Sequence, residues 1–251
     1  MSAAARRAWV AAGRAGVVVL VLLTWVATSQ VTDLVPRVGP TWTTLVDGFR
    51  DGWLRDGLVA TTQAVAVGFG WAVLLGFPLG YLLGRGRVLG ELFDPLVAGL
   101  FAVPRIIFYP ILLSWFGVGV LAESTMAALS ALFPIAVMTT AAVREVARGP
   151  LPKLAGSLNL NEAQQLIKIY LPAIAPALMV ALRIGFSVAL IAAIIAEFFA
   201  ARAGLGLLAA RAYALLDLPR MFAVVLLILV IGFAGNLALW MAEQRLSPDR
   251  S

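Results

Sequence analysis

The sequence contains no cysteine and no histidine. The first absence excludes a disulfide framework, a thiolate zinc site and a cysteine nucleophile. The second removes the side chain most used as general base and metal ligand. Charge is also scarce: 13% of the 251 residues are Asp, Glu, Lys or Arg, about half the share of an ordinary soluble domain. Apolar residues fill the space, making up 62% of the chain and giving a mean hydropathy of +0.97. A soluble domain of this size cannot hide that much apolar surface behind a polar exterior. Composition therefore excludes an ordinary soluble globular protein and a disordered one. It also leaves few residues from which to build an enzyme active site.

The net charge is +6, carried almost wholly by arginine, with Lys153 and Lys168 the two lysines. These charges lie between long apolar runs. They read as topology signals in a bilayer and not as a nucleic-acid surface.

A helix needs roughly 20 residues to cross a hydrocarbon layer of about 30 Å. Residues 15–32, 57–84, 124–143 and 221–242 carry no charge. Residues 95–122 carry Arg105, and residues 173–201 carry Arg183 and Glu197. The expected fold is all-α and integral to the membrane, with about six transmembrane helices in a single domain over residues 1–251. These are an N-terminal helix at 9–31 and core spans at about 57–84, 92–117, 121–143, 173–200 and 219–243. Arg6 and Arg7 before the first apolar run also fit a signal peptide, with Ala27-Thr28-Ser29 as its cleavage site. A retained helix is preferred, because cleavage would leave a chain that starts outside with five spans. With the N-terminus inside, eleven basic residues lie on the cytoplasmic side and six outside, leaving Arg105 and Arg183 within spans. That excess predicts a multi-pass protein of the cytoplasmic membrane with both termini in the cytoplasm.

Two external segments stand out. Residues 41–56 place Trp42, Leu45, Val46, Phe49, Trp53 and Leu54 on one helical face, opposite most of the charges. This predicts an amphipathic helix at the lipid headgroups. The second segment, residues 202–220, carries Gly204-Leu205-Gly206 near its start.

Residues 144–172 form the longest cytoplasmic connection. Gly149-Pro150-Leu151-Pro152 stops the preceding helix. A short helix follows, closed by Asn159, which tolerates the left-handed conformation. Asn161 is an N-cap with Gln164 at N3 to complete a capping box. A second short helix runs from Glu162 to Tyr170. Leu171 precedes Pro172, which disfavours further helix and opens the next span. The residues alone allow either a folded loop packed on its own helix ends or a docking knob for a cytoplasmic partner.

The run Leu154-Ala155-Gly156-Ser157-Leu158-Asn159-Leu160-Asn161, followed by Ile169-Tyr170-Leu171-Pro172, resembles the cytoplasmic loop of ATP-binding-cassette importer permeases. Aligned on Leu-Pro, the family's Glu falls on Lys153, its two Ala on Leu154 and Ala155, and its Gly on Asn159. Leu75-Gly76-Phe77-Pro78-Leu79-Gly80 with Leu83-Gly84 is similar to the end of the family's second span. Val103-Pro104-Arg105, Tyr109-Pro110 and Ser114-Trp115-Phe116-Gly117-Val118-Gly119 resemble the sulfonate, nitrate, taurine and pyrimidine-precursor branch. So does Ala196-Glu197 with Gly204-Leu205-Gly206. The resemblance covers roughly residues 40–243.

The resemblance implies a type I importer (MetI-like) permease core that moves a small, anionic or heterocyclic solute by alternating access. It implies a lipid-embedded complex of two ATPase subunits, an external solute-binding protein and a second copy of the permease. Neither lysine sits in a phosphate-cradling Gly-x-x-x-x-Gly-Lys-Ser/Thr loop. The chain is therefore expected not to be an enzyme and to bind no cofactor, with ATP and magnesium used by the partner. The implied ATPase-coupling residues are Ala155, Gly156, Leu158, Asn159, Leu160, Asn161, Glu162, Gln165, Leu171 and Pro172.

Charges inside a bilayer cost roughly 2.5–3.5 kcal/mol at its centre, so Arg105, Arg183 and Glu197 should face protein or water. Arg183 and Glu197 lie too far apart along one helix to pair. Each is either a structural pair with another helix or part of a translocation path. Pro104, Pro110, Gly117 and Gly119 break the third span, which is tolerated beside protein or a cavity. That favours this span as a path lining, with Tyr109, Ser114 and Ser187 as further polar candidates; ordinary kinking is the alternative. A stand-alone secondary transporter or channel would need an internal ion relay, for which Glu197 is the clearly intramembrane carboxylate. A membrane-embedded enzyme would need a Ser-Lys or paired-carboxylate site.

Overall fold

The computed structural model describes residues 3–86, 92, 99, 103–152 and 157–246. All regular structure among them is helical. The elements are α1 (Ala3–Val31), α2 (Val38–Arg50), α3 (Trp53–Arg85), a 3₁₀ turn (Arg105–Phe108), α4 (Tyr109–Phe116) and α5 (Val120–Arg148). They continue with α6 (Glu162–Gln165), a π turn (Leu166–Tyr170), α7 (Leu171–Phe199), α8 (Leu205–Ala214) and α9 (Leu218–Leu246). Among the described residues four helical stretches are long and apolar enough to cross a membrane: Trp53–Arg85, Val120–Arg148, Glu162–Phe199 and Leu218–Gln244. The apolar part of α1 is Val19–Val31. The expected third span, 92–117, is described mainly through its last turns.

The bundle is organised on α3 and α5, which run parallel in close contact. Gly68, Ala72, Gly76, Gly80 and Gly84 recur every four residues, so they share one face of α3. A Cβ added at Gly68, Gly76, Gly80 or Gly84 would stand 2.5 to 3.0 Å from the carbonyl oxygens of Ser124, Leu132, Ala136 and Thr140. Those four glycines therefore put one backbone directly against the other. Lipid is as apolar as leucine, so such close approach and its dispersion contacts are what hold membrane helices together.

Helix α7 lies antiparallel in the seam of this pair. Ile135 is fully buried and fills the space beside Gly185 of α7, while Phe69 and Phe186 meet edge to face at 5.8 Å. Small residues (Ala72, Ala127, Ala131, Ala189 and Ala193) complete this core. Helix α9 covers α7, with Gly235 against Phe186 and Gly232 against Leu190. The bundle thus has two ends: a loop end, where residues 157–170 sit, and a far end, where α3 and α5 begin.

Two expected boundaries change. The amphipathic helix expected at 41–56 is interrupted at Gly52, whose φ of 87° is a left-handed conformation that favours glycine. Trp53 and Leu54 consequently open α3, and Leu54 is buried with Leu205, Ala209, Val224 and Leu227 instead of facing headgroups. The break expected at Leu171-Pro172 is also absent. Over Leu166–Tyr170 the hydrogen bonds shift to i→i−5, so Leu171 N–H reaches Leu166 O and the helix passes through Pro172 without needing its missing donor.

The glycine face makes a discriminating forecast. Gly80→Ala pushes a methyl into the Ala136 carbonyl and should cost about 1–3 kcal/mol of stability in detergent. Gly70 on the same helix has open space around it, so Gly70→Ala should be neutral or gain up to about 1 kcal/mol. Equal unfolding midpoints for the two variants would remove the close-packing argument.

Candidate functional site

At the loop end the chain makes a tight turn. Asn159 has φ 50°, the left-handed conformation expected of it. Asn161 then caps the next helix. Its side chain accepts from Gln164 N–H at 2.8 Å, and its own N–H donates to Gln164 Oε1 at 3.0 Å. Both bonds of the expected capping box are formed. Gln165 Nε2 closes the turn by donating to Leu160 O at 2.8 Å.

This turn is tied to the bundle in two ways. Arg85, the last residue of α3, makes a forked ion pair with Glu162 and also donates to Gln165 Oε1 at 3.1 Å. Tyr170 is buried against Tyr81, Ala142, Val143 and Ile174, with the two tyrosine rings edge to face at 5.5 Å. The outward surface carries Leu158 and Ile167, 60% and 63% exposed, beside exposed Asn159, Asn161 and Glu162. Leu171 and Pro172 are also exposed, and Leu160 is half-buried. Ala155 and Gly156 of the expected coupling set lie outside the described residues, as do Lys153 and Leu154.

The far end holds a different polar cluster. Glu197 is completely buried, and its Oε2 accepts from Thr61 Oγ1 and from Gly206 N–H, both at 2.8 Å. Thr61 Oγ1 in turn accepts from Leu205 N–H at 2.8 Å. Leu205 and Gly206 open α8, whose own N-cap, Gly204, has no side chain to offer. A carboxylate from α7 and a hydroxyl from α3 therefore cap α8 from outside it, and negative charge at a helix N-terminus is stabilised there. A Cβ at Gly204 would fall on the Glu197 carboxyl, and one at Gly206 would strike Ile194 O. Tyr109 O–H donates to Ala200 O at 2.7 Å, fastening α4 to the end of α7.

The six expected path residues do not converge. Arg105 lies 5.9 Å from the Phe133 ring centroid. Tyr109 and Glu197 share the far end, whereas Arg183 pairs with Glu243 at 3.5 Å. Ser187 accepts from Asn236 Nδ2 at 2.9 Å. The Arg183–Ser187 pair lies roughly 15–21 Å along α7 from Glu197. Ser114 is exposed and donates back to Pro110 O at 3.0 Å.

Sequence reasoning missed Thr61, Arg85, Asn236, Glu243 and Glu123. Glu123 is 1% exposed, so a second carboxylate besides Glu197 is buried among these helices. An acidic residue in a helix's first turn reads as ordinary dipole complementarity, and no local signal marks it as buried. Among the described residues no three Asp or Glu side chains gather closely enough to hold a metal ion.

Residues 72–248 match the family described as the binding-protein-dependent transport system inner membrane component. A putative ABC transporter permease protein of Methanocaldococcus jannaschii is 32% identical over 80% of this chain and 76% of that protein. The taurine transport system permease protein of Escherichia coli is 30% identical over 80% of this chain and 73% of its own. In fold, the chain superposes on a chain of the MetNI methionine ABC transporter in an inward-facing conformation. The TM-score is 0.69 at 21% identity, covering 77% of this chain and 96% of that one.

The external cap gives a second forecast. Thr61→Val leaves Leu205 N–H without its acceptor and should cost about 1–3 kcal/mol. Glu197→Ala strands Gly206 N–H and should cost at least as much. The double variant should lose less than the sum, because both residues serve one cap. Strict additivity in a denaturation cycle would show that the two act separately.

Proposed function

The chain belongs to the inner membrane components of binding-protein-dependent transport systems, and we propose from that premise that two copies of it form the pore of an importer driven at its loop end. It is a permease subunit of an ABC importer for small solutes, and ATP hydrolysis belongs to a separate subunit. The absence of a phosphate-cradling loop in this chain agrees with that division. ATP and magnesium are thus used by the partner. The excess of basic residues on the loop side supports a cytoplasmic position for that end and for both termini.

One observation carries the docking reading. The Asn159–Asn161 turn is built by local hydrogen bonds, presents Leu158 and Ile167 to solvent, and is tied behind to α3, α5 and α7. An apolar knob on a braced turn suits insertion into a groove of an ATPase, and the brace passes displacement inward as rigid-body motion. The exposed pair, the turn and Glu162 form the coupling surface. An external binding protein delivers the solute at the far end, and ATP binding and hydrolysis alternate the access.

For the cargo, a small anionic or heterocyclic solute is supported by relatives named for taurine, nitrate and formylaminopyrimidine. Arg105, on the 3₁₀ turn before α4, is the basic group proposed to meet it. Arg183 is engaged with Glu243 and serves to link α7 to α9.

Two measurements test this reading. Affinity capture of the tagged wild-type chain should recover a P-loop ATPase. Leu158→Asp with Ile167→Asp should lower that recovery at least about tenfold, the loss expected when two apolar anchors of about 1.5–3 kcal/mol each are removed. Transport by the purified chain alone, driven by an ion gradient, would overturn it. Arg105→Gln should lower solute uptake while leaving ATPase recovery and chain abundance unchanged; unaltered uptake removes Arg105 from the path.

A further inference from the structure

Docking explains the exposed face of the loop, but it does not require the bond behind it. Arg85 has a position that a docking surface alone does not call for. It is the last residue of α3, where a cation is favoured by the helix dipole, and Glu162 is the first residue of α6, where an anion is favoured. The two therefore suit each other's helix ends before they meet. Their contact is a fork: one guanidinium nitrogen faces Glu162 Oε2, and the other donates to Glu162 Oε1 at 2.9 Å and to Gln165 Oε1 at 3.1 Å. Bidentate arginine–carboxylate pairs fix orientation as well as distance. Gln165 extends the fork to Leu160 O, so the Asn159 turn is held through the same side chains. Arg85 also lies beside Tyr170.

The mechanical consequence follows from connectivity. Covalently, the loop joins α5 through residues 149–161 and α7 through the π turn at Leu166–Tyr170, and it has no covalent link to α3. A π turn is a local irregularity of the hydrogen-bond ladder, frequent at functional sites. The Tyr170–Tyr81 contact holds α3 only at the base of this turn, so displacement at the Asn159–Asn161 end alone would flex the chain there and leave the end of α3 behind. Arg85 supplies the attachment of that outer end to α3. The glycine face joins α3 to α5 along its length. With both attachments, the loop, α3, α5 and α7 form one body.

We propose that Arg85 is a positioning residue for transport: its fork to Glu162 and Gln165 locks the loop to the α3–α5 pair, converting loop displacement into movement of the whole bundle. This rests on the docking reading above, but the lock itself is a property of the chain and is measured separately from docking.

The absence of cysteine makes the test direct, since introduced thiols are the only ones present. Spin labels on Leu82→Cys of α3 and Ala163→Cys of α6, both at exposed positions, report their separation by pulsed electron resonance. The chain is measured alone and with the co-captured ATPase, with and without ATP and vanadate. Diluted with unlabelled copies so that one labelled chain is read per pair, the otherwise unmodified chain should give one narrow distance in every state. Arg85→Gln should widen the distribution about twofold or shift it with nucleotide, as release of the loop's outer end from α3 requires. The exchanged pair, Arg85→Glu with Glu162→Arg, should restore the narrow distance. Arg85→Gln should keep ATPase recovery within about twofold, since the docking face is untouched. A narrow distribution in Arg85→Gln, or a broad one in the parent, overturns the lock. Loss of ATPase recovery by tenfold or more in Arg85→Gln overturns the positioning role in favour of direct docking. If Arg85→Gln does not fold, the exchanged pair decides, and a broad distance there overturns the proposal. Failure of the parent chain to capture any ATPase defeats the docking reading and leaves the distance result standing.

Discussion

Backbone contact between α3 and α5 is the constraint on which the rest of the structure depends. Helices in a bilayer gain little by hiding apolar side chains from lipid, so their association must come from fit. The four glycines provide it by bringing carbonyl oxygens of one helix within van der Waals range of the other backbone. The seam they make receives α7, and Ile135 of α5 occupies the space left by Gly185. Helix α3 then works as a ruler. Thr61 and Arg85 lie 24 positions apart on it, roughly 36 Å. If α3 slid against α5 by one turn, Thr61 would leave Glu197 and Arg85 would leave Glu162 together.

The two ends so placed are built from different chemistry. The far end is closed by bonds that reach a fully buried carboxylate, and each buried donor there would be costly to leave unmet. The loop end is held by a charged fork in which Glu162 is 77% exposed; such a bidentate pair contributes little to stability beside water but fixes orientation. One end is therefore closed by buried bonds that resist separation, and the other is aligned by geometry.

Legibility in the sequence tracked the span of each interaction. The capping box at Asn161 and the left-handed Asn159 were readable because their chemistry is contained within four residues. The alternation of apolar runs gave the helical character and the rough positions of the long helices. The Leu171-Pro172 break was read from the same local rules and is absent, because the π turn upstream re-registers the hydrogen bonds and no residue in the pair signals that. Gly52 splits the amphipathic segment for a reason that is local, its positive φ, yet a glycine among polar residues also fits a continuous surface helix. The cap on α8 joins residues 136 and 144 positions apart. Neither Thr61 nor Glu197 carries a mark of the other. The pairing of Ala196-Glu197 with Gly204-Leu205-Gly206 was visible as a resemblance, and its cause is steric: both glycines must lack a Cβ for the carboxylate to reach the amide.

The scarcity of polar residues acquires a structural meaning from this. A polar side chain inside a bilayer is costly without a partner, and several in this bundle find theirs on another element. Thr61 and Glu197 join α3, α7 and α8; Tyr109 joins α4 to the end of α7; Ser187 and Asn236 join α7 to α9; Arg183 and Glu243 do the same nearer the loop end. None of these sets has the geometry of a nucleophile and its base, and each is a link between helices. A catalytic site would need groups free to change protonation or bonding partner. A mechanical link needs the opposite, groups whose partners persist. The composition that leaves no histidine or cysteine for chemistry therefore suits a chain whose polar residues are used to keep helices moving together, with the reaction that drives them carried out by another subunit.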